Sequence, residues 1–179
     1  PLPEVGTPGP RSMKIRLLAI GSRPDDWVRS GVDTYLGRLP AHLKPELVEI
    51  PLSLRSSGGD PAVAKAKEGE RRGAVKLRRQ GQRILQRLKP IECVIALDER
   101  GKPWSSVELS RQLVRWQIEA SAVALIIGGP EGLADEVRQR ANQSWSLSAL
   151  TFPHGMVRVI VVEQLYRAWS ILKGHPYHR

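Results

Sequence analysis

Three short segments combine residue types that could hold a small ligand, and each begins where an apolar run stops. Gly128-Gly129-Pro130-Glu131-Gly132 follows Ala122–Ile127 directly, and glycines there would let a ligand lie against bare backbone. A tight strand-to-helix turn would need the same glycines. The segment is neither GxGxxG nor GxxxxGK[ST], so dinucleotide and P-loop phosphate binding lack their residues. Leu97-Asp98-Glu99-Arg100-Gly101-Lys102 and Ser146–Pro153 (SLSALTFP) close two further runs. Backbone donors beside small and apolar side chains suit an adenine-like ring. The charges of Asp98 and Glu99 favour a cationic cofactor over a phosphate-rich one.

Other chemistry is weaker. His154 follows the Ser146–Pro153 segment, and His175 and His178 sit in the terminal His-Pro-Tyr-His-Arg. Pro176 disfavours the helical geometry that would align an His-x-x-His pair, and no third ligand lies near, so no metal site is expected. No serine occupies a GxSxG elbow. The single cysteine, Cys93, lies in an apolar run and reads as a core thiol in a reducing compartment. A tail holding Tyr177, His178 and Arg179 could fold over a substrate, with histidine accepting a proton and arginine clamping phosphate.

The chain has 179 residues, with 28 Lys and Arg against 18 Asp and Glu, a net charge of +10. A hydrophobic content of 41% excludes a disordered basic tail and leaves a folded domain whose positive field favours a polyanionic partner over a basic surface kept only for solubility. The charge is uneven. Arg71–Lys89 holds eight Lys or Arg and no Asp or Glu, which favours a phosphate-tracking helix face, including Arg78, Arg79 and Arg83. No apolar stretch approaches a membrane span, and the N-terminus has neither a signal-peptide core nor a transit segment, so a cytoplasmic protein is expected.

The elements that must position these residues alternate. Strands are read at Met13–Ile20, Glu46–Ile50, Ile91–Leu97, Ala122–Ile127 and near Trp145–Leu147. Helices are read from Pro24 to Pro40, over Pro61–Leu88, from Ser105-Ser106 to about Ile118 with a capping box at Glu108, over Leu133–Asn142, and over Met156–Leu172. Residues 1–12 read as a disordered leader, Ser53–Asp60 as a loop, and 13–179 as one domain. The pattern is α/β with a mostly parallel sheet flanked by helices. The last element is apolar nearly all round, which predicts burial on more than one side and a second subunit. Its β-branched start, Val157–Val162, could instead be a strand that turns helical at Glu163.

In order, Ala96–Lys102 (ALDERGK), Ile127–Leu133 (IGGPEGL), Ser146–Thr151 (SLSALT), Pro153-His154, Glu163–Ala168 (EQLYRA) and His175–Arg179 (HPYHR) resemble the bacterial large-subunit ribosomal RNA pseudouridine N3-methyltransferases of the RlmH type, within the SPOUT superfamily. The resemblance runs from Met13 to Arg179. It implies a C-terminal trefoil knot, a rare exception to unknotted topology. It also implies a homodimer that holds S-adenosylmethionine at Leu97, Gly128 and Leu147, Ser148, Ala149, Leu150, Thr151 and Phe152. The implied substrate is a pseudouridine of 23S rRNA in the assembled 70S ribosome, with Tyr177, His178 and Arg179 reaching the partner's active site. Ser53–Arg83 departs from the family pattern.

On that reading the acceptor is an imide nitrogen that must lose a proton, while a sulfonium is already a good leaving group. Positioning alone can supply roughly 7–11 kcal/mol in favourable intramolecular analogues. His178, with an ordinary pKa of about 6.5, is the candidate proton acceptor. Arg179 or Arg158 could hold a phosphate or the developing oxygen charge. Two rival readings are a non-catalytic ribosome-binding factor and a tRNA methyltransferase on the same fold.

Overall fold

The computed structural model describes residues 13–21, 24–51 and 65–178. The leader (1–12), the loop read over 53–60, the predicted helix start at 61–64 and Arg179 lie outside the described residues. The element order is β1 (Lys14–Ile20), α1 (Asp26–Arg38), β2 (Glu46–Ile50), α2 (Lys65–Arg87), β3 (Cys93–Pro103), α3 (Ser106–Glu119), β4 (Ala122–Ile127), α4 (Asp135–Arg140), β5 (Gln143–Ser146) and α5 (His154–Leu172). Short 3-10 turns follow at Ala41–Leu43 and Pro176–His178.

The five strands form one all-parallel sheet in the order β2-β1-β4-β3-β5. Alternation along the strands explains the three layers. Leu17, Ala19, Ile95, Leu97, Leu125 and Ile127 point into the core beneath α1, α3 and α5. Their neighbours Leu18, Ile20, Val94, Ala96, Ala124 and Ile126 point into the core shared with α2 and α4. Strands buried on both faces must be apolar at every position, which is why β4 reads AVALII without a polar break.

Helix α5 lies between α1 and α3 against the sheet. It is helical throughout, so the strand alternative for Val157–Val162 is overturned. The reason is its seat: Val161, Val162 and Leu165 are buried beneath it while Val159 meets Gly31 of α1. A methyl on Gly31 would stand 3.1 Å from Val159 Cγ1, so the two helices touch almost backbone to side chain. Three intrachain neighbours therefore absorb much of the apolar surface that the sequence alone assigned to a second subunit. The capping box of α3 forms as expected, with Glu108 N–H donating to Ser105 Oγ (3.1 Å) and Ser105 N–H donating to Glu108 Oε2 (2.8 Å).

Two of the boundaries that differ from the sequence reading have a clear physical cause. Strand β3 continues past Leu97 to Pro103 through an irregularity that lets β5 be paired twice, Leu97 and then Lys102 both facing Trp145. Gly101 makes this possible, since a Cβ there would come within 2.7 Å of the Trp145 backbone nitrogen. Trp104 stacks on Trp145 at 5.2 Å and fastens the return. Helix α4 is shorter than the predicted Leu133–Asn142, because Asn142 is captured by β3. Its Oδ1 accepts from Val94 N–H (2.7 Å) and its own N–H donates to the Val94 carbonyl (2.8 Å).

Candidate functional site

Parallel pairing gathers the carboxyl ends of all strands on one edge, and register makes three of them neighbours. Leu97 is paired with Ile127 on one side and Trp145 on the other. The stretch of β3 beyond Leu97 and the segments that leave β4 at Gly128 and β5 at Leu147 therefore lie side by side. This is where open parallel sheets bind ligands.

The Gly128–Gly132 segment is a tight turn. Gly132 N–H donates to the Gly129 carbonyl (2.9 Å), and Gly132 has φ of +82°, a conformation natural only to glycine. A Cβ on Gly128 would lie 2.5 Å from the Gly132 carbonyl oxygen. The turn geometry thus accounts for the glycines and also leaves bare backbone beside Leu97. Residues 147–153 have no regular structure. Ser146 Oγ donates to the Ser148 carbonyl (3.2 Å), and Ser148 Oγ accepts from Leu150 N–H (3.0 Å). Leu147, Ser148 and Phe152 are half-buried, whereas Ala149, Leu150 and Thr151 are exposed, Leu150 at 73%.

Asp98 does not present a free charge to this edge. Its carboxylate accepts from Arg100 N–H (2.9 Å) and from Arg138 Nε (2.5 Å), and Arg138 also reaches Asp135 (3.0 Å). Burial works to raise its pKa, but the Arg100 N–H and the Arg138 guanidinium outweigh it and hold the carboxyl below its ordinary value. Of the two acidic residues, Asp98 and Glu99, read as favouring a cationic cofactor, Asp98 is thus paired within the fold.

His154, the first residue of α5, is half-buried, with its ring beside Arg158 and Gly21. Burial lowers its pKa, and the neighbouring Arg158 (Nη2 to Nε2, 3.4 Å) lowers it further, so the neutral ring is favoured. Arg158 was expected to face RNA. It is buried instead, its guanidinium donating to Glu49 (3.1 Å) and to the Ile20 (3.2 Å) and Gly21 (2.8 Å) carbonyls. Buried charges persist where partners satisfy them, so Arg158 ties α5 to β1 and β2 and is withdrawn from phosphate. The sequence signal was available only in hindsight, as one arginine inside an apolar run.

The tail folds onto its own chain. Tyr177 OH donates to Glu163 Oε1 (3.1 Å) and lies 3.3 Å from Tyr35 OH, and its ring packs edge-on against Tyr166 at 4.7 Å. Burial, the Tyr35 hydrogen bond and the Glu163 charge push its pKa up, so the phenol stays protonated. Tyr166 follows His154 by twelve residues, about 18 Å along the helix. The main chain of His178 closes the last 3-10 turn; its side chain and Arg179 lie outside the described residues.

Helix α2 exposes Arg78, Arg79 and Arg83 as expected, and three of its cations have partners within the chain. Lys76 Nζ meets Glu131 (2.5 Å), Arg78 meets Glu136 (3.9 Å) and Arg83 donates to the Pro51 carbonyl (2.8 Å). Acidic partners come from a segment some fifty residues on, which local sequence could not reveal. A cavity of about 280 Å3 lies elsewhere, between α1 and β2, with Leu17, Val28 and Leu47 in its lining and Arg158 and Glu49 at its end. It does not involve the three loops. Among the described residues no three His, Cys, Asp or Glu side chains cluster as a metal ion would require, and no helix is long and apolar enough to cross a membrane.

An all-parallel α/β sheet with a glycine turn and the irregular 147–153 segment at its carboxyl edge is the arrangement of the open α/β class, whose ligand sites lie at strand ends. Over residues 13–178 the chain matches the family described as "Predicted SPOUT methyltransferase", and it belongs to that SPOUT methyltransferase family. It is 48% identical over 167 residues to the ribosomal RNA large subunit methyltransferase H of Pseudomonas paraeruginosa, spanning 93% of this chain and 100% of that protein. The protein of the same name from Hahella chejuensis is 47% identical, spanning 93% and 99%. A crystal structure of a probable methyltransferase from Bordetella pertussis is similar at 18% identity with a TM-score of 0.49, over 88% of this chain and 95% of that one.

Proposed function

We propose that this protein methylates N3 of a pseudouridine in 23S rRNA of the assembled 70S ribosome, using S-adenosylmethionine, as a cytoplasmic homodimer. The observation that carries the reading is the side-by-side emergence of the Leu97, Gly128 and Leu147–Phe152 segments at one sheet edge. The near-complete coverage of relatives named ribosomal RNA large subunit methyltransferase H supports the substrate.

The residues present fit the cofactor. Leu97, Leu147 and Phe152 offer apolar contact beside the side-chain-free Gly128, and main-chain groups of 147–152 can hydrogen-bond and fix orientation. When bound, S-adenosylmethionine supplies a methyl group on a good leaving group. The protein's own work is then placement: Asp98 and Arg138 brace β3 just past Leu97, and His154 starts α5 beside Arg158 and Gly21. The segment 147–153 carries the chain from the β5 edge to α5, seated between α1 and α3, and we take this crossing as the knotted passage.

His178 is the proton acceptor for the imide, and Arg179 holds the charge that develops on its oxygen. Docking of Tyr177 on Tyr166, about 18 Å along α5 from His154, keeps the tail from its own chain's loops and supports delivery to a partner's site. Arg78, Arg79 and Arg83 contact RNA phosphates.

The test is mass spectrometry of 23S rRNA from a deletion strain, with calorimetry of the purified protein. The reading expects loss of one methyl from a pseudouridine and binding of S-adenosylmethionine. No binding at millimolar ligand points to a non-catalytic RNA-binding factor. A methyl missing from a tRNA, with rRNA unchanged, points to a tRNA methyltransferase.

A further inference from the structure

Gln80 occupies a position that the basic face of α2 does not explain. It is 1% exposed, and both amide atoms, Oε1 and Nε2, are buried without a hydrogen-bond partner among the described residues. Its head group lies against Gly129. A methyl on Gly129 would stand 3.1 Å from Oε1, 3.5 Å from Nε2 and 3.2 Å from Ile20 Cγ2, so a side chain there would press on the amide.

The approach is held from the neighbouring residue. A Cβ on Gly81 would come within 2.6 Å of Ala134 Cβ, so α2 sits as close as it can to the chain entering α4. Glu131, inside the glycine turn, pairs with Lys76 one helical turn earlier on α2. Two contacts therefore bracket Gln80 and leave its amide facing the turn with little slack. Burying an amide unpaired costs free energy that an apolar side chain of the same length would not cost, so the group calls for a partner.

We propose that Gln80 is a positioning residue for S-adenosylmethionine, whose amide bonds the main chain of the Gly128–Gly132 turn when that turn closes on the cofactor. The inference rests on the cofactor reading above. The uncomplexed turn has its own internal bond, Gly132 N–H to the Gly129 carbonyl, and leaves Gln80 unmatched. Glycine at both positions lets the Gly128-Gly129 peptide rotate to turn a donor or an acceptor toward the amide. Helix α2 thereby becomes the back wall of the cofactor site, reached from the sheet face opposite α5.

The full-length protein and its Gln80→Met variant, similar in length and apolar, test this, with Gln80→Leu as a second variant. Three quantities are measured: Tm without ligand, Kd for S-adenosylmethionine by calorimetry, and hydrogen exchange of the Gly128, Gly129 and Gly132 amides with and without ligand. The expected result is a Tm at or above the parent's, because an orphaned polar group has been removed. Binding weakens about tenfold, equivalent to about 1.4 kcal/mol, and ligand-induced protection of the turn amides is reduced. An unchanged Kd overturns the proposal. So does a Tm that falls together with affinity in both variants, since that marks an amide already satisfied, by a buried water for example, in the ligand-free protein. If the parent itself fails to bind S-adenosylmethionine, the cofactor reading falls first and the role of Gln80 with it.

Discussion

Adding one methyl group at Gly128 separates turn geometry from composition. A Cβ there would lie 2.5 Å from the Gly132 carbonyl oxygen, 2.7 Å from its carbon and 3.1 Å from Leu133 Cδ2. Backbone cannot swing aside as a side-chain tip can, so the two arms of the turn must part by about half an ångström or more. Overpacking of this kind costs about 1–3 kcal/mol, and a domain of this size loses about 2–4 °C of Tm per kcal/mol. The functional loss should be larger. Misplacement of about 1 Å can cost about a hundredfold in rate, so Gly128→Ala should lower kcat/KM at least tenfold on assembled ribosomes. The built-in controls are Gly37→Ala and Gly73→Ala, both in helices with nothing within 4 Å of the added methyl. These should stabilise by about 0.4–1 kcal/mol and leave methylation unchanged. Thermal unfolding, calorimetry with S-adenosylmethionine and single-turnover methylation read all three proteins. A Gly128→Ala protein with parental Tm, affinity and rate would refute the reasoning that this turn is both sterically closed and part of the site.

Other perturbations follow from particular contacts. Arg16 and Glu92 form a buried pair (2.7 Å) joining β1 to the start of β3, so Glu92→Ala should cost about 3–5 kcal/mol in denaturant unfolding; a loss below 1 kcal/mol would contradict that burial. His154 has a lowered folded-state pKa, so the fold favours the neutral ring. Its contribution is full above the unfolded value of about 6.5 and declines as pH falls below it, and a His154→Gln protein should lose less Tm than the parent between about pH 7 and 5. Parallel curves for the two proteins would dismiss the effect. Arg79 is exposed on α2, and Arg79→Ala should reduce the log–log salt slope of ribosome binding by roughly 0.7–0.9; an unchanged slope would remove that residue from the RNA surface.

Local pattern was enough for the class of fold. Apolar runs such as Ala122–Ile127, spaced by amphipathic segments, identify buried parallel strands and their helices, because periodicity is a property of neighbours along the chain. That three candidate segments would meet at one edge was equally legible, since the ends of apolar runs are visible in one dimension and parallel pairing must bring those ends together. What sequence alone could not decide was which long-range partner each polar residue finds. Arg158 donates to a carbonyl 138 residues away and so leaves the RNA surface; Asp98 spends its charge on Arg138; the cations of α2 meet Glu131 and Glu136; and Gln80, one polar letter in a basic run, is buried against Gly129. The same holds for β3, whose extension past Leu97 depends on Gly101 fitting against the backbone of β5. Periodicity reports which face of an element is apolar. Burial and pairing of a charge depend on what the fold brings against that face, and only the tertiary structure decides that.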